Sequence, residues 1–124
     1  MNEERHLPNA APIEAYGNGG FRFGGMSHRG SLLCLPDSVW ASSVTKPSEI
    51  DEQALAKVFE GAGAIKHCLI GTGQDLVVLP KSLRQRFRDS GIAVETMATG
   101  AAVRTYNILL GENRPVAALL IAVD

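Results

Sequence analysis

Hydrophobic and polar positions follow two different rhythms along this chain. From residue 13 to 45, short apolar runs at 13–16, 21–23, 31–35 and 39–42 are broken by glycines at 17, 19, 20, 24, 25 and 30. Glycine supplies the positive-φ conformations that tight turns need and that residues with a Cβ adopt poorly. This half therefore reads as a β-meander or hairpin layer, with His28 and Arg29 at a hairpin tip. Residues 1–12 are polar and expected to be flexible, leaving a single domain over 13–124.

From residue 48 the pattern alternates between helical and strand periods. Ser48 and Asp51 form a helix start, Ala54, Leu55, Val58 and Phe59 make one apolar stripe, and Gly61 is the stop. Residues 65–70 read as a strand. Pro80 suits the first turn of a helix that runs through Ser90 and ends at Gly91. Residues 92–97 are another strand. Thr99 is the expected cap of a third helix in which Ala102, Tyr106 and Leu109 share a face, closed by Gly111. Residues 115–123 form a final strand, apolar on both faces and therefore central. This α-β-α-β-α-β order is the grammar of a layered α/β domain.

Composition narrows the functional classes. With 124 residues there is room for one domain with a real core, but not for separate cofactor and substrate domains. A formal charge of −1 gives no global field to attract nucleic acid or an anionic membrane, so neither is an expected partner. Cys34 and Cys68 lie far apart inside apolar runs, form no CxxC and have no zinc-ligand spacing with His6, His28 or His67. They read as buried small hydrophobes in a reducing compartment. The polar start has no apolar h-region, and the longest apolar stretch, residues 116–123, is less than half of the ~20 residues needed to cross a bilayer. A cytoplasmic location is expected.

The stretch LIGTGQD at 69–75 has the outline of a phosphate loop. A dinucleotide fingerprint requires a third glycine and an immediate helix start, and a P-loop requires Lys-Ser/Thr after its second glycine. Here Gln74 and Asp75 follow, then apolar Leu76 to Leu79, and the next helix waits until Pro80. A βα turn is the better reading, placed at the sheet edge where α/β proteins bind ligands.

No G-x-S-x-G elbow or carboxylate pair marks an enzyme. His67 reads as a satisfied sheet residue. Lys81, Arg84, Arg86 and Arg88 give the second helix a basic, solvated side, with Leu83 and Phe87 inward. The polar cluster TGAAVRTYN at 99–107 is less expected, because Thr and Asn are indifferent helix formers. Arg104 in it either pairs with Glu95 or Glu112 to hold layers together, or reaches the 71–73 turn, where its fork would suit a carboxylate or phosphate.

At this cluster the chain resembles the family of small MTH-type domains of unknown function. The matching pieces are IEAYGNGGFR at 13–22, LPDSVW at 35–40, LIGTG at 69–73 and TGAAVRTYN at 99–107, followed by the strand VAALLI. The family includes a mitochondrial complex I assembly factor and an adipogenesis-associated protein. The resemblance implies a three-layer α/β fold with a central mixed sheet whose last strand is antiparallel to its neighbours, beside an N-terminal β-hairpin layer. It carries over no catalytic residue, cofactor or metal, and for the mitochondrial relative it implies a non-catalytic assembly role.

Two readings stay open. One is a non-enzymatic protein-interaction domain that supports assembly of a membrane respiratory complex, with Tyr16, Phe21, Phe23 and Trp40 as its interface. The other is a small-molecule or anion-binding domain, or an enzyme of unknown reaction, with a pocket formed by Gly71, Thr72, Gly73, Thr99, Arg104 and Asn107.

Overall fold

Strand alternation sends the apolar residues to two opposite faces of one sheet. The computed structural model describes residues 5–7 and 9–124. Its strands are β1 (Arg5–Leu7), β2 (Ile13–Gly17), β3 (Gly20–Phe23), β4 (Met26–Arg29), β5 (Ser31–Leu35), β6 (Ser38–Ser42), β7 (His67–Gly71), β8 (Ala93–Met97) and β9 (Val116–Leu120). The helices are α1 (Ala56–Glu60), α2 (Lys81–Asp89) and α3 (Thr99–Gly111). A six-stranded sheet has the order β1-β6-β5-β9-β7-β8, and a separate three-stranded sheet has the order β2-β3-β4.

On one face of the large sheet Leu33, Leu35, Cys68, Ile70, Ala117 and Leu119 pack with Leu55 and Val58 around α1 and with Leu83 and Phe87 of α2. On the other, Leu32, Cys34, Leu69, Ala118 and Leu120 pack with Ala102, Val103 and Tyr106 of α3 and with Ile13, Phe21 and Phe23 of the small sheet. The result is the expected three-layer α/β arrangement. Connections explain which helix goes where. The step from β7 through α2 to β8 moves outward, and the step from β8 through α3 to β9 moves back past β7. Right-handed crossovers in opposite directions leave their helices on opposite faces.

The last strand corrects one expectation. β9 is antiparallel to β5 but parallel to β7. It reaches β7 by a helical crossover, which restores the strand direction, and meets β5 as the inner strand of the β5–β6 hairpin. It is also shorter than the expected 115–123, spanning Val116–Leu120.

Local chemistry accounts for the remaining differences. The expected hairpin tip at His28 and Arg29 is strand β4, because Gly24 and Gly25, at φ 56° and 76°, make the turn earlier. The first helix starts only at Ala56. Asp51 still caps a turn, accepting the Ala54 N–H at 2.8 Å, and residues 47–49 form a 3-10 turn. α2 ends in a Schellman motif at Gly91, as expected: the Gly91 N–H reaches the Arg88 carbonyl and the Ile92 N–H reaches the Phe87 carbonyl. α3 ends in the same motif two residues later than expected, with Asn113 rather than Gly111 in the left-handed conformation, at φ 60°. Within the N-terminal stretch expected to be flexible, Arg5–Leu7 pairs with β6, and residues 1–4 and 8 lie outside the described residues.

Candidate functional site

The 71–73 turn and the start of α3 do meet at the C-terminal end of β7, but their polar groups are spent on each other. Ala98 holds the N-cap position of α3, and Thr99 is its first helical residue rather than its cap. The Thr99 hydroxyl donates to the Ile121 carbonyl at 2.7 Å and accepts the Gly73 N–H at 3.0 Å. The Thr99 N–H donates to the Gly73 carbonyl at 2.8 Å, and the Thr72 N–H to the Met97 carbonyl at 2.9 Å. A Cβ on Gly71 would stand 3.1 Å from the Thr99 hydroxyl and 3.2 Å from the Ala102 methyl. Helix and turn are therefore in contact, and the glycine permits that contact rather than leaving room for a ligand.

The other two proposed anchors lie elsewhere. Asn107 faces the small sheet, where its amide accepts the Ile13 N–H and donates to the Ile13 carbonyl, each at 2.8 Å. Arg104 is solvent-exposed and pairs with neither Glu95 nor Glu112, and Glu112 instead meets Arg114 at 3.3 Å. The six residues thus form a structural junction, an interlayer clamp and a surface cation, not one pocket.

The four aromatic positions also separate. Phe21 and Phe23 are core, because both point from β3 into the cluster shared with α3. Trp40 packs on the opposite side of the large sheet, with its indole N–H on the Ser38 hydroxyl at 2.8 Å and the Lys57 ammonium 4.5 Å above its ring. Tyr16 is 45% exposed, and its phenol lies over Gly100, where a Cβ would collide with it.

Besides the separate exposed side chains Tyr16, Met26 and Ile108, a consecutive exposed apolar run lies in the segment that follows the turn. Leu76, Val77 and Val78 are 57%, 41% and 65% exposed. Thr72 fixes this segment from beneath: its hydroxyl donates to the Asp75 carbonyl at 2.6 Å and accepts the Val77 N–H at 3.1 Å. A run of three solvent-facing apolar residues is disfavoured unless something covers it.

Both cysteines are free and buried, on opposite faces of the sheet. Burial pushes the Cys34 thiol up to about 12, with a hydrogen bond from the Tyr106 hydroxyl opposing the shift. Burial also raises Cys68 and Tyr106. His67 departs from expectation, since its Nδ1 is buried without a hydrogen-bond partner. Among the described residues, no group of three or more His, Cys, Asp or Glu is placed to hold a metal ion, and no helix is long and apolar enough to cross a membrane.

Comparison with known proteins places this architecture. The profile of a family described as a protein of unknown function, DUF498/DUF598, matches residues 13–121. The chain belongs to this family. Among DUF498/DUF598 relatives, an uncharacterized protein of Rhodobacter capsulatus is 38% identical over 95% of this chain and 90% of its own length. The rat NADH dehydrogenase [ubiquinone] 1 alpha subcomplex assembly factor 3 is 30% identical over 95% of this chain, which spans 64% of that factor's length. A crystal structure described as an outer membrane protein from Bartonella henselae is 50% identical, with a TM-score of 0.92 over 96% of this chain and all of that one. A Mth938-like domain from Bordetella pertussis, 24% identical with a TM-score of 0.80 over 90% of this chain and 85% of that one, shares the fold.

Family membership bears out the MTH-type resemblance, and the motif at 69–73 is part of the matched region. Sequence reasoning missed the exposure of Leu76, Val77 and Val78. The signal was present, in an apolar run too short and too close to Pro80 for a helix, with no strand partner implied by the turn before it.

Proposed function

We propose that this chain is a non-enzymatic, cytoplasmic protein-interaction domain that helps a membrane respiratory complex to assemble. The observation that carries this reading is the exposed Leu76-Val77-Val78 segment, tethered by the Thr72 hydroxyl to the Asp75 carbonyl and the Val77 N–H. An apolar surface ordered before binding loses little conformational entropy when a partner covers it. A relative named as an assembly factor, at 30% identity over 95% of this chain, supports the type of partner. The interface accordingly moves from Tyr16, Phe21, Phe23 and Trp40 to this loop, with Tyr16 the remaining exposed member of the earlier set.

A photo-crosslinking residue at position 78, in the full chain expressed in its native cell, tests the proposal. Capture of a respiratory-complex subunit or insertion factor, abolished by Leu76→Ser with Val77→Ser, is the expected result. A chain that crosslinks to no such protein, or one whose capture ignores the double substitution, overturns it.

A further inference from the structure

The solvent face of the small sheet carries a second site, chemically unlike the apolar loop. Pairing sets Ala15, Arg22 and Ser27 in one cross-strand row and Gly17, Gly20 and Arg29 in the next. Side chains in these rows share a face, because successive residues alternate and paired residues agree. Three of the six positions are therefore Ala or Gly, and the two arginines stand over a floor with almost no side chains. The floor belongs to a cleft of about 440 Å³, bordered also by Tyr16, Asn18 and His28. That volume falls in the range of small-molecule sites, ~300–1,000 Å³.

The floor is built, not merely empty. Asn18 and Gly19, at φ 52° and 79°, form the tight two-residue turn that joins β2 to β3. The Gly19 N–H is anchored on the Val123 carbonyl at 2.8 Å, and the Gly30 N–H on the Gly19 carbonyl at 2.7 Å. Gly20 is required, since a Cβ there would run into the His28 carbonyl. Arg29 reaches back across this turn, its Nη1 lying 3.6 Å from where a Cβ on Gly19 would be.

Charge decides the ligand class. Among the described residues, no carboxylate forms an ion pair with Arg22 or Arg29. The Glu14 carboxylate accepts the Gly25 N–H, at the other end of the small sheet. Diagonal neighbours on a sheet face are roughly 7–8 Å apart, so two like charges at these positions repel unless an anion lies between them. The geometry points to a binding site for a phosphate group, free or as a small phosphomonoester, held between the guanidinium forks of Arg22 and Arg29. Arg22 and Arg29 line the same cleft, and two guanidinium forks there match one compact dianion better than a dicarboxylate, whose charges lie at opposite ends. The Ser27 hydroxyl and Asn18 amide supply further donors at the rim.

The test is an NMR titration of the full chain with inorganic phosphate, glycerol phosphate and succinate. Saturable shifts of the Gly17 and Gly20 amides with either phosphate compound are expected. Arg22→Gln and Arg29→Gln should each weaken binding about tenfold or more, the loss of a charge-assisted hydrogen bond. Arg104→Gln should leave it unchanged. The tighter of the two phosphate compounds identifies the source, free anion or ester. Both arginines are solvent-exposed, so melting temperatures near wild type should accompany the loss. Shifts that do not saturate, an equal response in the Arg22→Gln and Arg29→Gln variants, or equal binding of succinate would overturn the proposal.

Discussion

Asn107 of α3 grips the backbone of Ile13 in β2 with both ends of its amide, accepting from the N–H and donating to the carbonyl at 2.8 Å each. A side chain here takes the place of a neighbouring strand, and it joins the small sheet to the helix layer. Asn107→Ala removes both partners of a half-buried peptide and should cost about 1–3 kcal/mol. The loss should be local: amide exchange in residues 13–29 should accelerate more than in β7 or β9. Arg104→Ala, one turn earlier on the solvent side, should change stability by no more than about 0.5 kcal/mol. Chemical denaturation followed by exchange mass spectrometry compares the two.

Thr99 and Gly71 make the corresponding joint on the other side of α3. Thr99→Val keeps the shape but leaves the Ile121 carbonyl and Gly73 N–H without the hydroxyl that joins them, at about 1–3 kcal/mol. Thr99→Ser retains the oxygen and should be the milder change. Gly71→Ala brings a methyl to within 3.2 Å of Ala102 and should also destabilise, by about 1–3 kcal/mol through overpacking. Denaturant midpoints should rank the variants with Ser nearest to wild type.

These two joints mark the limit of what the sequence could reveal. The order of strands and helices from residue 65 onward was legible because each element carries its own period and stop signal, such as Gly91 after α2. The three layers followed from that order and from the family resemblance. β4 was not legible, since Met26, Ser27 and Arg29 are exposed and its pattern has no apolar face. Phe21 and Phe23 alternate correctly for a half-buried strand, but only the presence of α3 across from them makes them core. The polar residues at 99–107 were grouped as one pocket, and the structure places Thr99 and Asn107 at two separate joints. Thr99 and Asn107 hold tertiary contacts with residues 22 and 94 positions away, which no local pattern encodes.

The buried Cys34 thiol gives the fold an alkaline weakness. Burial raises its pKa from an ordinary value of 9.0 up to about 12, against a smaller opposing effect of the Tyr106 hydrogen bond. Below pH 9 the thiol is protonated in folded and unfolded chains alike, and its contribution to stability is intact. As pH rises from about 9 towards 12, the unfolded chain releases the proton and the folded one does not, so stability falls. Cys68 and Tyr106 shift in the same direction. Urea midpoints should therefore decline as pH rises from about 9 towards 12, and decline less in Cys34→Ala. Alkylation of the native protein near neutral pH should be slow at both thiols and rise sharply on unfolding, because the thiolate is the reactive form.

Thr72 separates the order of the apolar loop from its chemistry. Its hydroxyl holds Asp75 and Val77 at 2.6 Å and 3.1 Å, with the Met97 carbonyl a second acceptor at 3.2 Å. Thr72→Val preserves volume and leaves Leu76, Val77 and Val78 untouched, yet removes all three contacts. Global stability should drop by about 1 kcal/mol, and exchange at the Val77 amide should accelerate well beyond that of β7. If the loop binds a partner in its present conformation, the variant must order it during binding, at roughly 1–2 kcal/mol for each residue released. Affinity for the partner should then fall with a slower association rate, although every apolar side chain is still present. Unchanged affinity in Thr72→Val, alongside lost affinity in Leu76→Ser, would mean that the partner recognises the side chains and not their arrangement.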